Sequence, residues 1–169
     1  MKDYKTENIL ILNCSLDMAK SIILFRDELA IRSPIEIPKD WPSNRFKTFL
    51  PLLIENLEKN KSSSFDMWIL ADLLEKKMMG DILLYKKNNQ MSIAFLEMRF
   101  LTSFYEKKYF KESMILFLDF VMDFFKGRFK QIHMEIMFSD NFRMNILKKL
   151  GFTLKKQDHP YLLWSLNVK

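Results

Sequence analysis

Three groups of residues in this chain have types and spacings that can do chemistry. Glu97 and Arg99 stand two apart in the apolar run from Ile93 to Leu101, so in a strand both project from one face. His133 and Glu135 do the same in the run from Ile132 to Phe138, which sets an imidazole beside a carboxylate: an acid/base pair, or a strand histidine with its own hydrogen bonds. Lys107, Lys108 and Lys111 gather where the first run gives way to a helical pattern. A helix start there would offer unbonded backbone N–H groups and the positive end of the helix dipole, a place that suits a phosphate.

The helix that must follow is marked by Phe110, Met114, Phe117, Leu118, Val121, Phe124 and Phe125, which recur at spacings of three and four and cover more than half the circumference. Such a helix is buried. The strand before it and the strand Ile132 to Phe138 after it make a β-α-β unit, whose two strands pair in parallel through a right-handed crossover.

At 169 residues the chain reads as a single domain, 1–169, and its 49% apolar content supports a core without staples. Cys14 is the one cysteine, which excludes an intramolecular disulfide, and two histidines, His133 and His159, give zinc no ligand set. Cys14 precedes Ser15, a candidate helix cap, and reads as a small core hydrophobe, the alternative being a reactive thiol. No run approaches the about 20 apolar residues that cross a bilayer. The polar start MKDYKTEN is unlike a signal peptide, so the cytoplasm is the expected location, with no membrane partner. The net charge of +6 and pI near 9.3 favour anionic partners. The lysines are dispersed, with no arginine-rich tail and no glycine-aromatic RNA-binding pattern, so nucleic acid is not expected.

Along the chain, Asn8 to Asn13 reads as a strand, and Ser15 caps a helix running to Ile31. The segment SPIEIPKDWPS from Ser33 holds three of the five prolines and forms a connector, with Trp41 as a substrate-pocket aromatic. A helix over SNRFKTFLPLLIENLEKN follows, Pro51 marking a kink or its start, and the polar run Lys59 to Ser64 ends it. These two helices and their link wall a pocket or cap the sheet. Phe65 to Leu74, Gly80 to Tyr85 and Ile93 to Leu101 read as an antiparallel meander, the last two joined through KKNNQ. A helix over Asp140 to Leu150 stops at Gly151, and Phe152 to Lys156 with Tyr161 to Val168 closes a hairpin. The fold class is α+β, or mixed α/β.

The order of elements, GDI at Gly80 to Ile82, EMRF at Glu97 to Phe100, YFKES at Tyr109 to Ser113, and the pair Asp140–Asn141 ahead of ILKKLGF at Ile146 to Phe152 together resemble the GNAT superfamily of N-acetyltransferases, in its ribosomal-protein-type form. The resemblance covers most of residues 65–168. It implies a central mixed, mostly antiparallel sheet flanked by helices, and direct transfer of an acetyl group from acetyl-CoA to a primary amine, a strand amide polarising the thioester. It further implies that two central strands splay apart. The pantetheine arm would pair with the exposed strand edge Met98, Phe100 and Thr102, and the pyrophosphate would rest on the loop Tyr105 to Phe110, hence on Lys107, Lys108, Tyr109 and Phe110 with Lys111 adding charge. Asn141 would contact the cofactor arm, although an ungapped match selects Asp140, and Glu97 or Glu135 would take the amine's proton.

The chain departs from the family pattern in its loop. YEKKYFKES has no glycine: Lys108 stands at the central glycine, Phe110 at the small position, and Glu106 brings a negative charge toward the pyrophosphate. Leu147 stands where many relatives carry a tyrosine that protonates the leaving thiolate. These departures favour an alternative on the same fold, a non-catalytic acyl-CoA or anion-binding module; a basic surface-binding protein is the third reading. The acceptor stays open among a peptide N-terminus, a lysine, a polyamine and an aminoglycoside, and a homodimer is compatible with the sequence.

Overall fold

The structure is a computed structural model that describes residues 4–59, 65–87, 90, 92–124 and 127–168. Residues 60–64 of the polar run expected to end a helix, Asn88 and Asn89 of the expected KKNNQ turn, and the helix end at Phe125 and Lys126 lie outside the described residues. The fold is α+β: among the described residues, a mixed, mostly antiparallel sheet with strand order β1-β2-β3-β4-β5-β6-β8-β7, and five helices. Contacts divide the chain into two compact units, Met1–Leu83 and Leu84–Lys169.

In the first unit β1 (Tyr4–Lys5) pairs antiparallel with β2 (Ile9–Asn13), and β2 with β3 (Phe65–Asp72). The expected first helix is two. Ser15 caps α1 (Leu16–Leu24), its hydroxyl oxygen accepting from the Met18 N–H at 3.2 Å. The chain then turns at Phe25 and restarts as α2 (Arg26–Arg32), which has Asp27 and Glu28 at its start and Arg32 at its end, as the helix dipole favours. Helix α3 (Asn44–Glu58) is capped by Ser43 and buries Phe46, Leu50 and Leu53 as one stripe. Pro51 lies inside α3 rather than at its start. It sits on the exposed side, and the buried stripe holds the helix together across the lost hydrogen bond. Strand β4 (Lys77–Tyr85) begins three residues earlier than the Gly80 of the sequence reading.

The proline-rich connector is pinned from both directions. Arg26 of α2 donates to the carbonyls of Trp41 at 2.9 Å and of Pro38. The Trp41 indole N–H donates to Asp81 Oδ2 at 3.0 Å, and both residues are buried. Trp41 is therefore a core residue packed on Phe46, with ring centroids 5.1 Å apart, and not an open pocket aromatic. Cys14 is buried as well, and burial pushes its thiol up to about 12, so it behaves as a hydrophobe.

The second unit contains β5 (Ile93–Phe100), α4 (Ser103–Phe124), β6 (Gln131–Met137), α5 (Asn141–Lys149), β7 (Thr153–Asp158) and β8 (Tyr161–Asn167). β5 and β6 pair in parallel, as the β-α-β pattern predicts, while β6 pairs with β8 and β8 with β7 antiparallel. Helix α4 buries Tyr109, Phe110, Met114, Phe117, Phe120 and Val121. Each such aromatic contributes about 1.5–3 kcal/mol by leaving water.

The KLGF segment ends α5 in a way local physics explains fully. Leu150 caps the helix and Gly151 follows at φ +89°, a left-handed conformation that costs a side-chain-bearing residue about 1–2 kcal/mol. The Gly151 N–H reaches the Lys148 carbonyl at 3.1 Å, and the Phe152 N–H reaches the Leu147 carbonyl at 3.0 Å. These are the two bonds of a Schellman motif, and Phe152 and Leu147 are both buried, as its hydrophobic contact requires.

Candidate functional site

β5 and β6 are hydrogen-bonded neighbours at three positions only: Ile93 opposite Gln131, Ala94 opposite Ile132, and Phe95 opposite His133. Both strands continue beyond this, β5 to Phe100 and β6 to Met137, with no further pairing between them among the described residues. A slot opens there between two neighbouring strands.

Side-chain alternation assigns the two sides of this slot. Phe100 meets Phe110 of α4 at 6.3 Å between ring centroids, and Lys148 of α5 lies over Trp164 at 5.8 Å, so both helices pack on the face that carries Phe100 and Trp164. The other face carries Phe95, Glu97, His133, Glu135, Tyr161 and Leu163, since His133, Glu135 and Met137 lie opposite Ser165, Leu163 and Tyr161. A cavity of about 520 Å³ opens on this second face and is lined from the second unit alone. Phe95, His133, Glu135, Tyr161 and Leu163 form its floor, and Lys87, Lys156 and Asp158 are among its charged walls.

Glu97 and Glu135 each stand two residues beyond the last strand pair, on the same face and on opposite sides of the slot. Each has its own partner. The Tyr85 hydroxyl donates to Glu97 Oε1 at 2.9 Å, and Lys87 Nζ meets Glu135 Oε1 at 3.3 Å while also lying over the Phe95 ring at 3.9 Å. Glu135 is half exposed and lines the cavity; Glu97 lies outside its lining. Burial, then the positive charges of Lys155 and Lys87, hold His133 below its ordinary value, which keeps its ring neutral at pH 7.

The expected anion site differs from the sequence reading. The segment Tyr105 to Phe110 is not a loop, because α4 begins at Ser103. Thr102 caps it: its hydroxyl oxygen accepts from the Tyr105 N–H at 3.2 Å and its carbonyl from the Glu106 N–H at 3.1 Å. A segment without glycine, rich in residues that tolerate helix, simply continues the helix back to the nearest good cap. Tyr109 and Phe110 therefore lie more than a turn inside α4 with buried side chains, and Met98 is buried on β5, so none of the three presents its side chain to a ligand. Phe100 is half-buried against Phe110. Lys107, Lys108 and Lys111 are exposed, Lys108 lying over the Tyr109 ring at 4.6 Å. Asn141 is the exposed first residue of α5, and Asp140 is its cap, accepting from the Arg143 N–H at 3.0 Å.

Sequence reasoning missed the partner that settles Glu106. Arg143 Nε binds the Glu106 carboxylate and stands 3.6 Å from Asp140 Oδ2, with its guanidinium 4.9 Å over the Phe110 ring. The first turns of α4 and α5 are thus tied together, and the negative charge of Glu106 is met. The cavity-lining residues Lys87, Phe95, Asp158, Tyr161 and Leu163 were missed too; the period-two alternation of the last hairpin was the signal that could have placed Tyr161 and Leu163 on one face. Leu147, at the position of the expected acid, is fully buried.

No protein-family model and no curated protein matches the chain. Solved structures do. Ribosomal-protein-S5-alanine acetyltransferase from Vibrio fischeri superposes with a TM-score of 0.65 at 14% identity, over 100% of this chain and 98% of that one. The RimL ribosomal-protein alpha-N-acetyltransferase in complex with coenzyme A gives 0.65 at 8%, over 99% and 98%. The spermidine/spermine N-acetyltransferase SpeG from Vibrio cholerae gives 0.64 at 9%, over 96% and 95%. The fold is that of the GNAT acetyltransferases. No helix among the described residues is long and apolar enough to cross a membrane.

Proposed function

We propose that the chain is an N-acyltransferase that moves the acetyl group of acetyl-CoA directly to a primary amine. The observation that carries this reading is the slot between β5 and β6, where pairing stops at Phe95 and His133 while both strands run on. The slot joins a helix-covered face, where α4 begins, to the open face with the cavity. An acyl donor held on the first side and an amine held on the second would meet in it.

On the donor side the positive end of α4, the Thr102 cap and the exposed Lys107, Lys108 and Lys111 suit a pyrophosphate, and Glu106 does not oppose it because Arg143 meets its charge. Beyond Phe95 the β6-facing side of β5 has no β6 partner among the described residues and would offer backbone groups to a pantetheine amide, and a β5 N–H would stabilise the negative charge that grows on the thioester oxygen. Asn141, exposed at the start of α5, completes this side.

On the acceptor side Glu135 takes a proton from the ammonium form of the amine, and the neutral nitrogen then attacks the carbonyl carbon. A C–N bond forms, the nitrogen gives its surplus proton to water, the C–S bond breaks, and the thiolate takes a proton from water, since Leu147 has no acidic proton to give. Glu97, held by Tyr85, lies across the slot and adds negative potential that draws a cationic amine. The neighbouring structures named for a ribosomal-protein alanine and for spermidine/spermine fit this amine class. A second reading, an acyl-CoA-binding module without turnover, draws on Leu147 and on an α4 start that lacks a glycine loop.

Calorimetry with acetyl-CoA, coenzyme A and a nucleotide lacking the pantetheine arm tests the proposal. Micromolar binding that needs the arm and weakens in Asn141→Ala supports it, and release of free thiol with an amine added separates transfer from binding alone. No binding at millimolar acetyl-CoA would sink it.

A further inference from the structure

Strand register on the open face spaces its charges by whole strand widths. Glu135 of β6 lies opposite Leu163 of β8, and Leu163 lies opposite Lys156 of β7, so a carboxylate, an apolar side chain and an ammonium stand in one row across three strands. Neighbouring strands are about 4.8 Å apart, which puts about 9.6 Å between the backbone ends of the row. A β-bulge creates this row. Between Leu154 and Lys156 the register of β7 shifts by one residue. A regular strand would carry Lys156 onto the helix-covered face with Leu154, which pairs with Trp164. The shift turns Lys156 to the cavity face instead, where it lines the cavity with Asp158. The extra residue is Lys155, which is exposed, has no ion pair among the described residues, and bears with its positive charge on His133 of that face.

The balance of charge along the row selects what can lie on it. Lys87 meets Glu135 at 3.3 Å and Lys156 meets Asp158 at 3.0 Å, and all four side chains are about half exposed or more. Such pairs contribute little and exchange partners readily. Their charges sum to zero, and Lys155 adds a surplus positive charge at the β7 end. We propose that the cavity takes an amine that also carries an anionic group, with its nitrogen at Glu135 and its carboxylate or phosphate at Lys155 and Lys156, and that it disfavours polyamines. The proposal rests on the acyltransferase reading and deepens it by naming the acceptor class. Each end of such a molecule replaces one member of an exposed pair: the nitrogen takes the place of Lys87 at Glu135, and the anion takes that of Asp158 at Lys156. Lys155 then adds an attraction that no pair cancels. Leu163 and Tyr161 supply apolar surface under the link between the two ends. A polyamine would bring a second cation to the β7 end, where the surplus charge is already positive, and like charges repel.

NMR titration of the full chain tests this with amines of one length: 6-aminohexanoate, 6-aminohexyl phosphate, hexylamine and 1,6-diaminohexane. The nitrogen and the carboxylate carbon of extended 6-aminohexanoate are about 7.5 Å apart. That span fits the row because a lysine ammonium rides on a flexible four-carbon stem. 6-Aminohexanoate should bind about fivefold or more tighter than hexylamine, and 1,6-diaminohexane more weakly than either. Whichever anionic amine binds tighter identifies the anion as carboxylate or phosphate. Lys155→Gln combined with Lys156→Gln changes two exposed side chains and should bring the anionic amines to within about twofold of hexylamine. Lys149→Gln, the same kind of charge loss on α5 over the other face, should leave the preference intact. Hexylamine binding as tightly as 6-aminohexanoate, 1,6-diaminohexane binding tightest, a preference that survives the double variant or is lost equally in Lys149→Gln, or no binding of any probe at millimolar concentration would overturn the proposal. Acetyl-CoA calorimetry on the same samples keeps the two readings apart: wild type that binds no acetyl-CoA fails the acyltransferase reading, whereas the preference for anionic amines is read without the cofactor.

Discussion

The charge arrangement at the start of α4 yields the sharpest test. Glu106 sits in the first turn of the helix where a pyrophosphate is proposed, and Arg143 from α5 holds its carboxylate, with side chains 26% and 17% exposed. Replacing Arg143 by Gln leaves a bare carboxylate beside the phosphates; replacing Glu106 by Gln leaves a free guanidinium there. A first-turn side chain stands about 6–8 Å from an anion on the helix end. At an effective dielectric of about 30–40 one unit charge at that range is worth about 1–2 kcal/mol, or about five- to thirtyfold in Kd. Arg143→Gln should weaken acetyl-CoA by that factor, Glu106→Gln should tighten it, and the double variant should return close to wild type. The control ligand is acetyl-pantetheine, which has no pyrophosphate and should bind all four proteins alike. The differences should shrink in 1 M salt, where the screening length is about 3 Å. Four proteins with the same Kd for acetyl-CoA, or a matching change for acetyl-pantetheine, would refute the placement of the phosphates at α4.

Three further outcomes follow from the same geometry. Trp41→Phe removes the indole donor to buried Asp81 and should cost about 1–3 kcal/mol in a urea titration; an unchanged midpoint would mean that the connector is not held there. Gly151→Ala should cost about 1–2 kcal/mol through the backbone alone, because φ is +89° while the added methyl meets only Leu166 Cδ1 at 3.6 Å; retained stability in a melting experiment would rule out the left-handed cap. His133 titrates below its ordinary value of 6.5, so as pH falls through 6.5 the unfolded chain takes up a proton before the folded one does. Its contribution is complete above pH 6.5 and is lost as pH drops toward the lowered value. Lys87, Lys155, Lys156, Glu135, Asp158 and His159 surround it and are kept in His133→Gln, so the melting temperature of wild type should drop relative to this variant between pH 7.5 and 5.5. A constant difference would contradict a neutral buried ring.

What the sequence revealed was local. The Ser15 cap, the buried face of α4, the parallel β-α-β unit and the stop at Gly151 rest on caps, helical periodicity and a left-handed residue, each of which acts within a few positions. The KLGF segment shows the limit of such a signal. It is specific as a sequence, yet its two hydrogen bonds and its buried Leu147–Phe152 pair are what any helix needs in order to stop there, so it identifies a fold element and not a chemical role. The start of α4 was misread for a related reason. A family pattern placed a loop at Tyr105 to Phe110, while the residues present, none of them glycine, continue the helix back to Thr102.

The site itself depends on register, which no local pattern carries. Lys87 meets Glu135 across 48 positions of sequence and Arg143 meets Glu106 across 37. Had the ladder of β5 and β6 continued, Glu97 and Glu135 would stand directly opposite each other about 4.8 Å apart on one face, a like-charge pair that a sheet disfavours. Where the pairing ends each has its own partner, Tyr85 and Lys87. The same two carboxylates that look like a repulsive defect in a continuous sheet are thus, in a divided one, each held by a separate partner, and the proposed amine site depends on that division.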